Sequence, residues 1–280
     1  DLVELGDGRW YMVALGIRGD EERRSNMGRE THLVEVEWER EPYWWKEKKY
    51  LWPVVAPSTG RVERTSPLPF ADSKNRPSLT LRDDFERKEL GLPWTFRRVP
   101  KKDAYSLIDR PGFLRLYSQS SRPAARGRVA QLGIKQTESD FIFTARTHFE
   151  SQTMSSEAGI TLFQKDDHFL NVVVKRQENG YELSIALADR GAPAILTSKA
   201  VPEYSGVIEW QLESSGKQYA VRYRFTTDSE WLLLHKMLSN ELLSHYYTGA
   251  HVGFYASSNG APSADHIDID WAEYQAKPRP

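Results

Sequence analysis

Apolar and polar residues alternate one by one along much of the chain. Phe141, Phe143, Ala145, Thr147 and Phe149 interleave with Ile142, Thr144, Arg146 and His148, the period of two that puts one set on the buried face of a strand. From Phe169 to Val174 both faces are largely apolar, which predicts a central strand covered on both sides. Tyr181, Leu183, Ile185 and Leu187 form another run, directly after Glu178-Asn179-Gly180, a hairpin signal. Ile208, Trp210 and Leu212, then Tyr219, Val221, Tyr223 and Phe225, then Val252 and Phe254, then Ile267, Ile269 and Trp271 complete the series. Runs spaced by roughly 8–15 residues, with Gly, Asn, Asp or Pro between them, predict an all-β chain built around a sandwich. Helix signals are scarce. The one competing stretch, Trp231 to Leu243, is read as a strand followed by a loop.

The pattern breaks near Phe70. Thr65 to Ser78 holds three prolines and several turn formers, as a linker does. The 70 residues before it carry strands of their own, Trp10 to Leu15 and His32 to Trp38. One small antiparallel sheet exposes too much apolar surface and too many edges to stand alone. A blade of a β-propeller is such a unit, because blades bury their faces only against other blades. Glu37 to Tyr50 mixes aromatics with charges and reads as an exposed hairpin or insertion.

Composition narrows the function classes. The 280 residues hold 38 Lys+Arg and 39 Asp+Glu, a formal net charge of -1, so the basic excess common in nucleic-acid binders is missing. With no cysteine, disulfides, thiolate metal sites and a Cys nucleophile are excluded. No apolar run approaches the ~20 residues of a membrane helix. Asp1 and Glu4 stand where a signal peptide has its basic region. The opening reads as the middle of a strand pair, and residue 1 is expected not to be the biological start. Aromatics reach 12%. Sheet packing explains most of them, with sugar platforms as the alternative use. No P-loop, dinucleotide fingerprint or nucleophile elbow occurs, and the seven histidines (32, 148, 168, 235, 245, 251 and 266) lack ligand-like spacing.

Eight segments together fit one template. DLVELGDGRWYMVALG, NMGRETHLVEVEW and LWPVVAPSTGRV are similar to the last propeller blade of family 43 glycoside hydrolases, the β-xylosidases and α-L-arabinofuranosidases. LRDDFERKELGLPWTFRR, YSLIDRPGFLRLYS, SEAGITLFQ, YTGAHVGFYASS and ADHIDIDWAEY resemble the concanavalin A-like sandwich that follows the propeller in that family. The resemblance implies three parts: residues 1–70 as the remnant of a five-bladed propeller, 71–79 as linker, and 80–276 as a jelly-roll sandwich with Trp94 in its core. It also implies a soluble hydrolase, secreted or cytoplasmic, that acts on xylo-oligosaccharides or arabinoxylan-derived sugars, with neither nucleic acid nor membrane as partner.

Family members invert at the anomeric carbon, using a general base, a general acid and an aspartate that tunes the acid. Inversion needs two carboxyl groups ~6.5–9.5 Å apart, with room for a water. Asp83-Asp84 and Asp166-Asp167 are sequence neighbours, so in strands they point to opposite faces. The resemblance places all three acids on earlier blades, so the expectation is that no catalytic carboxylate lies in this chain, that the chain alone is inactive, and that a further ~250 upstream residues, on typical blade sizes, carry the acids. Among the residues present, the resemblance puts Arg29 in the sugar pocket, where a guanidinium supplies fixed donors and lowers a nearby carboxylate pKa. The alternative is a surface salt bridge to Glu30 or a nearby acid. The resemblance also puts an aromatic ring at Tyr247, beside Tyr246, to close the pocket; the alternative there is core packing. Asp84 and Glu86 near the start of the sandwich, with Asp268 and Asp270 near its end, offer the hard oxygen ligands of a structural calcium ion. Asp84 and Asp270 are the favoured ligands, and solvated edge residues are the alternative. A stand-alone, lectin-like glycan-binding sandwich competes with the enzyme reading, and a purely structural sandwich is a third. A lone blade at residues 1–70 favours the enzyme.

Overall fold

The computed structural model describes residues 1–19, 23–42, 49–63, 66–67, 69, 80–122, 124, 126–216, 218–227, 229–238, 242 and 247–277. Among these there are strands but no helix. The chain divides into two compact units: Asp1–Arg23 with Arg29–Pro77, and Arg24–Gly28 with Ser78–Pro280. The expected linker, 71–79, lies outside the described residues.

The first unit is a four-stranded antiparallel sheet, β1 (Leu2–Glu4), β2 (Trp10–Ile17), β3 (Arg29–Pro42) and β4 (Lys49–Val55), paired in chain order. Tyr11, Val34 and Val36 are buried, and the ring of Trp10 meets that of Trp38 edge-on with centroids 5.2 Å apart. Other apolar side chains remain open: Leu15 is 67% exposed and Trp52 57%. The sheet thus leaves part of its apolar surface uncovered, as its size predicts. β3 and β4 run in register to the pair Pro42 and Lys49. The tip of the expected aromatic hairpin, 43–48, lies outside the described residues.

The second unit is a sandwich of two antiparallel sheets. One follows the order β17 (Leu232–Leu238), β16 (Gln218–Arg224), β15 (Val207–Ser215), β10 (Phe141–His148), β19 (His266–Ala276), β8 (Leu114–Tyr117), β7 (Tyr105–Ser106), with β5 (Thr80–Asp83) also paired to β19. The other follows β14 (Ala194–Ala200), β13 (Gly180–Asp189), β12 (His168–Gln177), β11 (Glu157–Lys165), β18 (His251–Ser257), β9 (Ala130–Lys135), β6 (Trp94–Phe96). Between them lies one core. In β10, Phe141, Phe143 and Ala145 face it, matched across the pairing by Leu212 and Trp210 of β15 and by Tyr274 and Ala272 of β19. Each large apolar side chain so enclosed contributes about 1.5–3 kcal/mol of hydrophobic stabilisation. In β12, His168 to Val174 is buried without interruption, as two apolar faces require. Trp94 stacks on Phe254 in the same core, and its Nε1 donates to Asp83 at 2.8 Å. The stretch beginning at Trp231 does form a strand, β17, on the sheet edge.

One expectation fails. Strict alternation puts Trp271 inward beside Ile267 and Ile269. In the structure Ala272, Tyr274 and Ala276 are buried instead, and Trp271 is half-exposed with Arg82 above its ring at 4.6 Å. The cause is a bulge: Arg146 pairs with Trp271 and Thr147 with Ile269, leaving Asp270 without an opposite residue on β10. An extra residue on one strand reverses the facing of everything beyond it.

The core also contains a polar link. Thr147 is buried, and its Oγ1 accepts a hydrogen bond from Nε1 of the fully buried Trp210 at 2.9 Å. Thr147→Val keeps the shape but orphans the indole N–H, which is expected to cost about 1–3 kcal/mol of stability. Urea unfolding reads this as a lower midpoint at unchanged slope.

Candidate functional site

Arg29 is the first residue of β3, opposite Ile17 of β2, and is exposed. Its neighbour Glu30 is held by Arg18, whose Nε and Nη2 each donate to the carboxylate at 2.7 Å. Glu30 therefore ties down the loop that follows β2.

Residues 24–28 lie between β2 and β3 in sequence yet belong to the sandwich unit. Ser25, Asn26 and Met27 are buried there. The Asn26 carbonyl accepts from the Ala250 amide at 2.8 Å, the Ser25 carbonyl accepts from Nε2 of Gln164 at 3.2 Å, and Nδ2 of Asn26 donates to the Tyr219 hydroxyl at 2.9 Å. Burial pushes the Tyr219 phenol up to about 12, against the opposing bond from Asn26, so it remains a neutral hydroxyl. Gly28 takes φ +65°, and a β-carbon there would stand 2.4 Å from the Gly249 nitrogen and 2.6 Å from the Tyr247 oxygen. Two backbones meet at this point, so a glycine is required. Sequence inspection missed the contact; the glycine in NMGRET was its one signal.

Tyr247 borders that contact. It is 65% exposed. Tyr246 lies outside the described residues.

The acids proposed for calcium are distributed differently. β5 and β19 are neighbours, as the proposal needed, with Asp83 opposite Ala272. Three of the four carboxylates, however, lie beside an arginine. Asp84 binds Nη2 of Arg82 at 2.6 Å, and the bulged Asp270 lies 3.5 Å from Nε of Arg146. Asp268 is buried and takes Nε and Nη2 of Arg115 at 2.7 and 2.9 Å and Nη1 of Arg110 at 3.0 Å. Burial alone would raise its pKa; the bonds from Arg115 and Arg110 prevail and hold it below the usual carboxylate value. Glu86 is exposed. Among the described residues no group of three or more His, Asp or Glu could hold a metal. Asp84 and Asp270, the favoured ligands, each lie beside an arginine instead, an arrangement that does not fit a calcium site.

The remaining enclosed acids have protein partners too. Glu209 binds Arg224 at 2.6 Å and Thr227 at 2.7 Å. Glu157 is a carboxyl that burial pushes up, a trait of a general acid. Its partner is the Tyr255 hydroxyl at 2.9 Å, not a second carboxylate. The described histidines are strand residues, in β3, β10, β12, β17, β18 and β19; His245 lies outside the described residues.

A family model described as the beta-xylosidase C-terminal concanavalin A-like domain matches residues 82–275. The chain belongs to that family. The resemblance to family 43 glycoside hydrolases, first read from eight short segments, therefore holds. The chain is 28% identical over 280 residues to the non-reducing end alpha-L-arabinofuranosidase of Bacteroides ovatus, with 98% of this chain and 50% of that protein covered. It is also 28% identical over 280 residues to the xylosidase/arabinosidase of Butyrivibrio fibrisolvens, covering 97% and 51%. A solved structure of the Bacteroides ovatus xyloglucan-locus protein superposes with TM-score 0.85 at 25% identity over 99% of this chain and 53% of that one. The xylan beta-1,4-xylosidase of Bacillus halodurans gives 0.80 at 18% identity over 98% and 52%, a likeness of fold. The chain thus spans about half the length of the curated relatives it matches.

Proposed function

We propose that this chain is the C-terminal part of an inverting glycoside hydrolase of the β-xylosidase/α-L-arabinofuranosidase type, acting on xylan-derived oligosaccharides. In this reading the four-stranded sheet is the last propeller blade. The sandwich braces the rest of the propeller and helps close the sugar pocket, and the reacting carboxyl groups lie outside the 280 residues. The observation that carries the reading is the extent of the match: relatives named for arabinofuranosidase and xylosidase activity align with 97–98% of this chain, through both units. A free-standing lectin has no use for the first unit, so the enzyme reading is preferred. The pairing of the enclosed acids with arginine, threonine or tyrosine supports the same division of labour, because inversion needs one carboxyl group poised as acid and another as base across a water.

Arg29 and Tyr247 are the residues assigned to sugar contact, Arg29 as a fixed donor of charge-assisted hydrogen bonds and Tyr247 as an exposed ring. The test uses nitrophenyl xyloside and nitrophenyl arabinofuranoside. The 280-residue chain is expected to release no nitrophenol. In a longer protein containing this chain and active on either compound, Arg29→Ala is expected to lower kcat/KM by about 10–100-fold, the value of one or two lost charged hydrogen bonds. Turnover by the 280 residues that survives Arg29→Ala would reject the assignment.

A further inference from the structure

His148 is the last residue of β10, opposite Asp268 of β19 and Val207 of β15. Alternation turns it away from the core, and it is half-buried on the outer face of its sheet. The loop 107–113, which joins β7 to β8, packs against it through two side chains. The Phe113 ring meets the imidazole edge-on with centroids 5.2 Å apart. The Arg110 guanidinium lies 3.6 Å over the same Phe113 ring and brings Nη2 to 3.4 Å from Nδ1 of His148, while its Nη1 donates to Asp268 at 3.0 Å. Within the loop, Oγ of Ser106 accepts from the amides of Ile108 and Asp109 at 3.2 and 3.0 Å, and the Arg110 carbonyl accepts from the Phe113 amide at 3.1 Å. Arg110 thus ties a locally ordered loop to two strands of the sheet.

The tie to His148 suits one protonation state only. A guanidinium has donors and no acceptor, so Nδ1 takes the accepting role and the neutral ring carries its hydrogen on Nε2. That Nε2 is enclosed and has no hydrogen-bond partner among the described residues. A proton added to the ring therefore finds no acceptor: at Nδ1 it points at Arg110, and Nε2 stays unpartnered. The other charged groups around the ring do not reverse this. Asp268 already takes Arg115 and Arg110, with His266 at 3.7 Å. The bulged Asp270 lies 3.5 Å from Arg146, which shares the outer face with His148 and also comes within 3.9 Å of Glu209 on β15. Burial first, and then the Arg110 charge, hold the imidazole below its usual pKa against the attraction of Asp270.

We propose that His148 and Arg110 form an acid-released latch on the loop 107–113. Neutral, the imidazole accepts from Arg110 and ties the loop to β10. Protonated, it faces Arg110 as a second cation, and the loop opens more often. A histidine that is harder to protonate when latched stabilises the closed loop fully above its free value, about 6.5. That stabilisation is lost as pH falls below the free value toward the latched one. Such a change of charge between pH 7 and pH 5 is the usual range of a histidine switch. The inference does not depend on the proposed hydrolase function, since every group in it belongs to the sandwich unit.

Two independent readings on the 280-residue chain test it. In the first, NMR of isotope-labelled protein follows the His148 ring through a pH titration. Its midpoint is expected below about 6.5 and is expected to move up toward that value in Arg110→Gln, which removes the facing charge. In the second, hydrogen exchange across 107–113, corrected for the intrinsic effect of pH, reports how often the loop opens. From pH 7 to pH 5 the wild type is expected to open at least about threefold more often. His148→Gln, whose side-chain oxygen can accept from Arg110 and never takes a charge, should show less than about half of that rise. Each reading uses a different variant, so one that fails to fold leaves the other decisive. A midpoint at or above about 6.5, a midpoint that Arg110→Gln leaves in place, or an equal rise in exchange in wild type and His148→Gln overturns the latch.

Discussion

Asp268→Ala is expected to destabilise the sandwich by about 2–4 kcal/mol, toward the low end for a broken buried ion pair because its arginine partners are partly hydrated. The carboxylate is 4% exposed and receives three hydrogen bonds from Arg115 and Arg110. Removing it leaves two guanidiniums facing each other on β8 and the loop before it. Asp268→Asn keeps the volume and loses the charge, so it isolates the electrostatic part. The linkage to pH follows from the depressed pKa. An acid with a lower pKa folded than unfolded stabilises the fold fully above its unfolded value, about 3.9. That stabilisation is lost as pH falls through the folded value. The gap between wild type and Asp268→Asn in urea unfolding should therefore be constant near neutrality and shrink below about pH 4. A gap of the same size at pH 7 and pH 3 would show that the charge is irrelevant.

The second large effect is expected at Gly28. Its φ of +65° strains any side chain, for about 1–3 kcal/mol. A β-carbon would also strike the backbone of residues 247–249, which cannot move aside as a flexible side chain does. Gly112→Ala is the control: its φ is +79°, and among the described residues nothing lies within 4 Å of the added carbon. Gly28→Ala should cost more than Gly112→Ala by at least about 1 kcal/mol, the usual scale of overpacking. It should also speed hydrogen exchange at the Ala250 amide, which bonds to the Asn26 carbonyl. If the two variants are equally stable and Ala250 stays protected, the close approach has no energetic weight.

Individual strands were legible because the sandwich core enforces local alternation. β10 repeats buried and half-buried positions throughout its length, and each of its core residues can be named from the string of letters. The bulge at Asp270 was not legible, since whether a strand carries an extra residue depends on the neighbour it pairs with. The same limit governs the acids. Asp268 lies 153 and 158 residues from the arginines that hold it, and no local pattern links them. The sequence suggested that terminal strands would gather four carboxylates. The strands do meet, but arginines take three of the four, Asp84, Asp268 and Asp270, because a negative charge is more stable beside a fixed cation than beside another carboxylate. Arg29 and Tyr247 were visible only through resemblance, as exposed side chains leave no periodic trace.

Taken by itself, the order of residues determined the all-β class, the sandwich and the family, because each rests on short-range alternation, turn chemistry or local motifs. Tertiary structure decided which acids pair with which arginines, where β19 changes face, and that 24–28 lies within the sandwich unit beside residues 247–250. These depend on contacts between segments far apart in the chain, which only the folded packing brings within reach of a hydrogen bond.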